Sequence, residues 1–216
     1  MNMREMNHAA DIMQAKQEIR NTLSNYCFEH NCGLNMRFVK KWAKRDDIRH
    51  EMPWGNTTGL ETLEYNRPDG DVIRHPFDAA TMGGGALFIH FMDTPVIEVA
   101  NDLQTAKAVF LSPGIEAFGD RGGVWAYSKY GFELIREDGE WRVWHMRIFP
   151  IFRNGYFDSF AEVAEDDLTK THGESRFDSA NKFFAYSPRD VIPAKEPEPP
   201  LPYETYEAGV NSNFSI

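Results

Sequence analysis

The sequence predicts a protein of the α+β class, in which helices come first and an antiparallel sheet follows. In the N-terminal part of the chain, apolar residues recur at three- and four-residue steps, which is the helical period. From about residue 86, apolar residues occur in short runs or alternate with polar ones, as they do in β-strands. Turn residues separate these runs at short intervals, so consecutive strands are expected to pair as hairpins in one curved sheet.

The helical part begins with a long amphipathic helix over residues 11–30. Its apolar face ends with Tyr26 and His30, which lie one turn apart on the same side. The stretch "NCGLN" then predicts a break, and "MRFVKKWA" predicts a second short helix that carries Trp42. A short strand is expected in "IRHEMPWGN", which contains Trp54, and a third helix in "NTTGLETLEYNR".

The strands follow in the order "ALFIHFM", "TPVIEVAND", "TAKAVFLSPGIEAFG", "VWAYSKYGFELI" and "EWRVWHMRIF". Asn101-Asp102 predicts the turn after the second of them, and a Glu-Asp-Gly turn joins the last two. Pro113-Gly114 predicts a break in the third strand, because proline has no amide hydrogen to donate to a sheet.

After the last strand the patterns weaken. Residues 158–170 are compatible with a short helix, and six of the 12 prolines lie between Pro188 and Pro202. This Pro-rich segment is expected to be extended, and either disordered or laid across its own surface or that of a neighbour. The predicted division is a domain over residues 1–155 and a C-terminal extension over residues 156–216.

The charge balance excludes two classes of partner. The formal net charge is −10 and no stretch is rich in Lys and Arg, which argues against nucleic acids and anionic membrane surfaces. No membrane-spanning run and no apolar secretory signal are visible, so a cytoplasmic location is expected. Cys27 and Cys32 do not form a metal or redox motif, and reduced, packed thiols are expected.

Two motifs carry a resemblance to a known family. The first is His-x₄-Pro-x-Ile-x-Val at 90–99, and the second is Tyr-x₇-Asp-Gly-x-Trp-Arg-Val at 130–143. With the order of helices before them, they resemble the SnoaL-like branch of the NTF2-like superfamily over residues 11–150. The resemblance implies a cone-shaped fold: a strongly curved antiparallel sheet wraps around the N-terminal helix, and a pocket lies between the two.

The strands from "KAVFLSPGIEAFG" onwards also resemble the sphingomonad diarylpropane lyases, which act on lignin-derived dimers. That resemblance implies a cofactor-independent lyase for an aromatic small molecule, which eliminates water from a diol and then releases formaldehyde. The alternatives left open are a dehydratase or isomerase of steroid or polyketide type, and a non-catalytic small-molecule-binding protein. The resemblance also implies a homodimer or homotrimer and no cofactor. No metal site is expected, since the histidines lack HExxH or two-His-carboxylate spacing.

The resemblance and the residue chemistry select the candidate catalytic residues. His90 corresponds to the histidine that dehydratase-like members place in the pocket, and Phe88 shares its strand face. An imidazole there could transfer protons near neutral pH. Family members often carry an Asp five residues after the position of Tyr26, but this chain has Asn31. Tyr26 is a catalytic candidate through its match to the family tyrosine, and His30 is the candidate for the acid–base role of the missing Asp. Both helix residues also suit a packed core.

The fourth strand supplies candidate substrate-binding residues. Alternation places Tyr130 on one face, and Tyr127 and Lys129 on the other. Matching the family hairpin turns the Tyr130 face into the pocket, so Lys129 should point outward unless a bulge re-aims it. The expected substrate-binding set also includes residues from the helices and loops; its members are Tyr130, Arg147, Lys129, Tyr127, Trp42, Trp54 and Phe88.

The stretch "GEWRVWHMRIFP" combines large apolar residues with two groups that are costly to bury. Alternation puts His145 and Arg147 on the same face as Trp141 and Val143. The family register turns that face inward, so His145 is expected in the pocket as an acid or base. Arg147 is expected near the rim, either as a holder of an anionic or phenolate oxygen or in a salt bridge.

Overall fold

In the computed structural model, a long N-terminal helix packs against one face of a seven-stranded sheet. Helix α1 spans Met3–Asn31 and therefore begins well before the predicted residue 11. Asn2 and Glu5 explain the early start, because each side chain accepts a hydrogen bond from the other residue's backbone N–H. The structure describes residues 2–53, 55–59, 83–119, 122–161, 186 and 197–212.

The segment after α1 contains a short helix and a hairpin. Helix α2 spans Asn35–Val39, and the hairpin consists of β1, Arg49–Met52, and β2, Gly55–Thr58. The predicted third helix is wrong at its start, because β2 pairs with β1 there and takes up those residues. The rest of that helix and the side chain of Trp54 lie outside the described residues.

Five further strands complete the sheet, in the order β2-β1-β7-β6-β5-β3, and β4 also pairs with β5. Consecutive pairing of β5, β6 and β7 confirms the predicted hairpins. The sheet is mixed rather than antiparallel throughout, because β1 pairs parallel to β7. A long connection separates these two strands, so no hairpin sets their relative direction. The strands are β3, Ala86–His90; β4, Asp93–Val99; β5, Thr105–Phe118; β6, Gly123–Glu137; and β7, Glu140–Gly155.

Strand β5 runs without interruption through Pro113-Gly114, so the predicted break is wrong. On one side β5 pairs with β4 as far as Leu111, and with β3 from Gly114 onward. Pro113 lies where one partner strand gives way to the next. A residue without an amide hydrogen is tolerated at such a junction, because the ladder has a gap there.

The inner face of the sheet, which packs against α1, holds the main core. Ile19 and Leu23 of α1 are fully buried against it, and each contributes about 1.5–3 kcal/mol through burial. The first helix thus closes one side of the curved sheet, as the family resemblance implies. The core residues from the sheet include Ala106, Phe110, Phe132, Leu134, Trp141, Val143 and Met146.

Strand β7 carries a bulge that changes which side chains face α1. Leu134 of β6 pairs with Val143, but the preceding residue, Glu133, pairs with His145. Trp144 is therefore the extra residue, and alternation is reversed beyond it. Since Leu134 faces α1, Glu133 and His145 face the opposite side, which we call the outer face.

A second bulge lies further along β7 and restores the first alternation. Tyr127 pairs with Phe152 but Ser128 pairs with Pro150, so one β7 residue between them is extra. Beyond this point Arg153 pairs with Ala126, whose face is the inner one. The two bulges together decide that Arg153 reaches the inner face.

Residues 197–212, which we call the tail, lie across the outer face. Backbone N–H groups of Asn101 and Asp102 donate to the carbonyls of Tyr203 and Glu204, at 3.0 and 3.1 Å. The tail thus lies on the chain's own surface, whereas the start of the Pro-rich segment and most of the helix expected over residues 158–170 lie outside the described residues. The division between residues 155 and 156 stays a prediction. Among the described residues, no helix is both long and apolar enough to cross a membrane.

Candidate functional site

Two histidines meet where the C-terminal end of α1 reaches the end of β3. The ring centroids of His30 and His90 are 5.1 Å apart, and the ring of Phe88 lies 6.0 Å from that of His30. Strand β5 brings a carboxylate to the same place, since Glu116 pairs with Phe88 across the β3–β5 ladder. Further polar groups come from β6 and β7. We call the set the inner cluster: His30, His90, Glu116, Tyr130 and Arg153.

The Glu116 carboxylate lies between a histidine and an arginine. One oxygen is 3.6 Å from Nε2 of His90, and the other accepts hydrogen bonds from Nη2 and Nε of Arg153 at 2.9 and 3.3 Å. The separation from His90 is too long for a direct hydrogen bond, so the imidazole is not locked onto the carboxylate. The side chains of His90 and Glu116 are 14% and 13% exposed, so both are mostly but not fully buried.

Both imidazoles of the inner cluster are neutral at neutral pH. Burial lowers the pKa of His30, and it lowers the pKa of His90 to about 4, with Arg153 and His30 acting in the same direction on His90. The Glu116 carboxylate opposes these effects but does not outweigh them. Each ring therefore keeps a lone pair that can accept a proton.

The ring of His30 is oriented by Asn35, a buried residue of α2. Its Nδ1 lies 2.8 Å from the Asn35 side-chain oxygen. An amide oxygen only accepts, so Nδ1 of the neutral ring carries the hydrogen and Nε2 is the acceptor nitrogen. The break between α1 and α2 thus fixes the tautomer of His30.

Two hydroxyl groups lie on the inner face beside the cluster. Burial, together with the nearby Glu116 carboxylate, raises the pKa of Tyr130 well above its usual range, so its phenol stays protonated. The Tyr130 phenol approaches the Ser112 hydroxyl, which is buried and has no hydrogen-bond partner of good geometry. A bound molecule could hydrogen-bond to either of these two buried hydroxyl groups.

Tyr26 lies in the core at the edge of this site. Its ring packs on Phe38 with centroids 4.0 Å apart, meets Phe132 edge-on, and lies 6.0 Å from the ring of His30. These are the contacts of a packed core residue, and the predicted catalytic role of Tyr26 stays a prediction.

Gly114 allows β5 to pass beneath the His90 ring. A Cβ at this position would lie 2.8 Å from Nδ1 of His90 and 2.9 Å from the carbonyl oxygen of Ile89. Both distances are below ordinary van der Waals contact, so a larger residue would displace the imidazole or its strand. The glycine that suggests a break in the sequence instead makes room for the candidate catalytic ring.

Asn31 holds the main chain of His90 rather than its imidazole. The His90 N–H donates to the Asn31 side-chain oxygen at 2.9 Å, and the Asn31 amide donates to the His90 carbonyl, also at 2.9 Å. The Cys27 thiol donates to the same carbonyl, and burial raises the pKa of that thiol. The end of α1 therefore fixes the position at which β3 ends.

The prediction that His145 and Arg147 face the pocket is wrong, whereas the salt bridge left open for Arg147 is present. Nδ1 of His145 is 2.6 Å from Glu133 on the outer face, and Nε of Arg147 is 3.2 Å from a Glu51 oxygen. The bulge at Trp144 is the reason, since it reverses the alternation that the sequence pattern implies.

Three other predicted substrate-binding residues fall in two places, the outer face and the core. Tyr127 and Lys129 lie on the outer face, as alternation along β6 predicts, and Tyr127 stacks on Phe152 with centroids 5.9 Å apart. This position is away from the inner cluster, so their proposed contact with substrate has no support from the fold. Trp42 is buried in the core against Phe38 and His50.

Sequence reasoning missed Glu116 and Arg153. For Glu116 a signal existed: alternation along an unbroken β5 places it on the face of Ser112 and Gly114. For Arg153 no such signal existed, because two bulges precede it in β7. Among the described residues, no group of three or more His, Cys, Asp or Glu side chains is placed to hold a metal ion.

Comparison with known proteins assigns the fold to a family. The model of the SnoaL-like domain matches residues 11–147, which include most of α1, every residue of the inner cluster except Arg153, and most of the sheet. The chain belongs to the SnoaL-like family. This finding confirms the wider resemblance and agrees with the curved mixed sheet around an N-terminal helix. No curated protein sequence matches the chain.

Several solved structures share the SnoaL-like fold of this chain. Hexachlorocyclohexane dehydrochlorinase type 3 from Novosphingobium barchaimii has a TM-score of 0.54 at 13% identity, covering 70% of this chain and 96% of its own. A protein assigned as a scytalone dehydratase from Novosphingobium aromaticivorans has a TM-score of 0.54 at 14% identity, covering 70% and 93%. An NTF2-like protein from the same organism has a TM-score of 0.51 at 15% identity, covering 73% and 92%. At these identities the likeness concerns the fold.

Proposed function

We propose that this SnoaL-like chain is a cofactor-independent enzyme that catalyses acid–base elimination on a neutral, mostly apolar small molecule. The observation that carries the proposal is the meeting of two neutral imidazoles and a carboxylate on the inner face of the sheet, with partial access to solvent. Perturbed titratable groups that converge in this way are typical of catalytic sites.

The neutral imidazoles suit removal of a proton. In the elimination, His90 accepts a proton from carbon, and the electron pair of that C–H bond forms the new double bond. The leaving oxygen takes up a proton and departs as water. The phenol of Tyr130, which stays protonated, is the candidate donor for that second transfer.

The charges of the cluster favour a neutral substrate. Arg153 offsets the charge of Glu116 through two hydrogen bonds, so the cluster presents no unpaired cation to an anionic group. The surrounding ring of Phe88 and the buried Ser112 hydroxyl suit an apolar molecule that carries hydroxyl groups.

The finer proposal is dehydration, followed by formaldehyde release, of a lignin-derived diarylpropane diol. The resemblance of the strands from β5 to β7 to the diarylpropane lyases supports it. Two structural neighbours, the dehydrochlorinase and the protein assigned as a dehydratase, have names that denote eliminations. In this route a phenol ring loses its hydroxyl proton as water leaves the benzylic carbon, which gives a quinone methide. Loss of the terminal O–H proton then breaks the C–C bond, releases formaldehyde and returns the electron pair to the ring, so no external cofactor would be required.

A substrate panel with matched variants tests the proposal. Diarylpropane diols, hydroxysteroids and polyketide alcohols are incubated with the native chain, with His90→Ala, and with His8→Ala as a control on a partly exposed helix histidine away from the inner cluster. Formaldehyde or water elimination that His90→Ala abolishes and His8→Ala preserves supports the enzyme. Conversion of the steroid or polyketide class alone would favour the dehydratase or isomerase alternative.

The non-catalytic alternative predicts a different result from the same panel. A binding protein would take up an aromatic ligand tightly without turnover, and neither His90→Ala nor His145→Ala would change that binding. We also propose a homodimer or homotrimer through the outer face, where Trp125 and Tyr156 stack and are 45% and 55% exposed. A monomeric mass in light scattering would contradict it.

A further inference from the structure

Asn31 makes a pair of hydrogen bonds that an amide satisfies and a carboxylate does not. Its oxygen accepts from the His90 N–H, and its nitrogen donates to the His90 carbonyl, both at 2.9 Å. An ionised carboxylate has acceptors but no donor, so it would face the His90 carbonyl with a like partial charge. The position is therefore built for asparagine.

The imidazole of His90 has a different carboxylate beside it. Nε2 lies 3.6 Å from Glu116, and Gly114 leaves the space that brings the ring over β5. Arg153 fixes the second oxygen of that carboxylate, so Glu116 is held in place without being bonded to His90. An acceptor of this kind, held in place but not yet bonded to His90, can accept a hydrogen bond from the imidazole when substrate binds.

We propose that Glu116 on β5 supplies the carboxylate partner of His90, and that Asn31 on α1 is a positioning residue that holds His90 by its main chain. This inference rests on the proposed function of the same site. This chain has no acid at the helix position where the resemblance expects one. Glu116 on strand β5 takes that role, and Asn31 at the helix position holds the main chain of His90.

The charged and titratable groups that face His90 come from every neighbouring element. Glu116 raises the pKa of the imidazole, whereas Arg153 and His30 lower it. Replacing Glu116 by Gln therefore moves the titration midpoint of His90 to lower pH, by roughly one unit for an opposite charge at this distance. The facing groups are His30 and Cys27 of α1, Glu116 of β5, Tyr130 of β6 and Arg153 of β7.

The first measurement follows the His90 imidazole by NMR titration in the native chain, in Glu116→Gln, and in Glu140→Gln as an exposed control. The expected result is a downward shift of about one pH unit in Glu116→Gln and none in the control. An unchanged midpoint in Glu116→Gln would overturn the proposal. Because this readout needs no substrate, it remains decisive even if no panel compound is converted and the proposed function fails.

The second measurement moves the carboxylate back to the helix. Asn31→Asp alone should lower turnover at least tenfold, and the double variant Asn31→Asp/Glu116→Gln should remain as impaired as Glu116→Gln. Turnover restored by the double variant, or increased by Asn31→Asp, would contradict the proposed positioning role of Asn31. If Asn31→Asp does not fold, the titration of Glu116→Gln still decides which carboxylate is the partner of His90.

Discussion

The two faces of the sheet each carry a histidine–glutamate pair, and the pairs differ in separation, exposure and hydrogen bonding. On the inner face, His90 and Glu116 are 3.6 Å apart and partly exposed. On the outer face, His145 and Glu133 are 2.6 Å apart, with the Glu133 side chain 1% exposed. Both members of the outer pair make further hydrogen bonds. In the inner pair, the Glu116 carboxylate accepts hydrogen bonds from Arg153 and none from His90.

The tail is what closes the outer pair. The Tyr206 hydroxyl and the Ser212 hydroxyl donate to the Glu133 carboxylate at 3.1 and 2.8 Å, and Nε2 of His145 lies 3.2 Å from the Asp47 carbonyl. Lys107 lies beneath the Tyr203 ring at 4.2 Å, and burial lowers its pKa. A buried pair with all its partners in place serves structure, whereas a pair that is held apart retains the capacity to transfer a proton.

Replacing His90 should give the largest difference in turnover between the two faces. His90→Ala should lower turnover by about 10²–10⁴-fold, because the imidazole is the proposed proton acceptor. His145→Ala, in contrast, should lower stability and leave turnover per folded molecule within about threefold. Steady-state kinetics on folded fractions measure both, and an equal loss of turnover in the two variants would remove the distinction between the faces.

Glu133→Ala should cause the largest loss of stability. Removing this carboxylate leaves His145, Tyr206 and Ser212 without their shared acceptor, and breaking a buried pair costs about 3–5 kcal/mol. Urea unfolding measures the change. Glu98→Gln, a substitution at a partly exposed ion pair with Lys16, is the control and should cost less than about 1 kcal/mol.

The pH dependence of stability should reveal the buried neutral state of His90. Its pKa falls from 6.5 in the unfolded chain to about 4 in the folded one, so the unfolded state binds more protons between these values. The neutral His90 therefore contributes roughly 3 kcal/mol to the free energy of unfolding. This contribution is fully present above pH 6.5 and is lost as the pH falls toward 4. Unfolding of the native chain and of His90→Asn, compared across this range, isolates the effect; parallel curves would contradict it.

Gly114→Ala should disturb the inner pair specifically. The added methyl group would lie 2.8 Å from Nδ1 of His90, and such overpacking costs about 1–3 kcal/mol. Turnover should fall as well, because the ring must move away from Glu116. Gly83→Ala, where nothing lies within 4 Å of the added carbon, is the matched control and should leave both quantities close to native.

Tyr206→Phe should give the smallest effect. It removes the hydrogen bond to Glu133 and keeps the ring against Trp144, so a loss of about 1 kcal/mol is expected. Thermal unfolding measures the loss, and faster proteolysis of the tail should accompany it. A stability equal to that of the native chain would show that the tail does not help to close the outer pair.

The sequence predicted well what local patterns control. Apolar spacing located α1, alternation placed Tyr130 and Lys129 on opposite faces of β6, and the Asp138-Gly139 turn joined β6 to β7. Each of these features depends on residues close together in the chain, where the periods of helix and strand apply. The family resemblance rested on the same segments, and the SnoaL-like match confirmed it.

The tertiary structure decided the membership of the site. The two bulges in β7 sent His145 outward and Arg153 inward, and the continuity of β5 through Pro113 placed Glu116 beside His90. A bulge changes the face of every later residue in its strand but is fixed by pairing with the neighbouring strand. The sequence thus determined which strands and helices form and which histidines were available. Only the pairing between strands determined which histidine faces α1, because side-chain direction depends on register as well as on order along the chain.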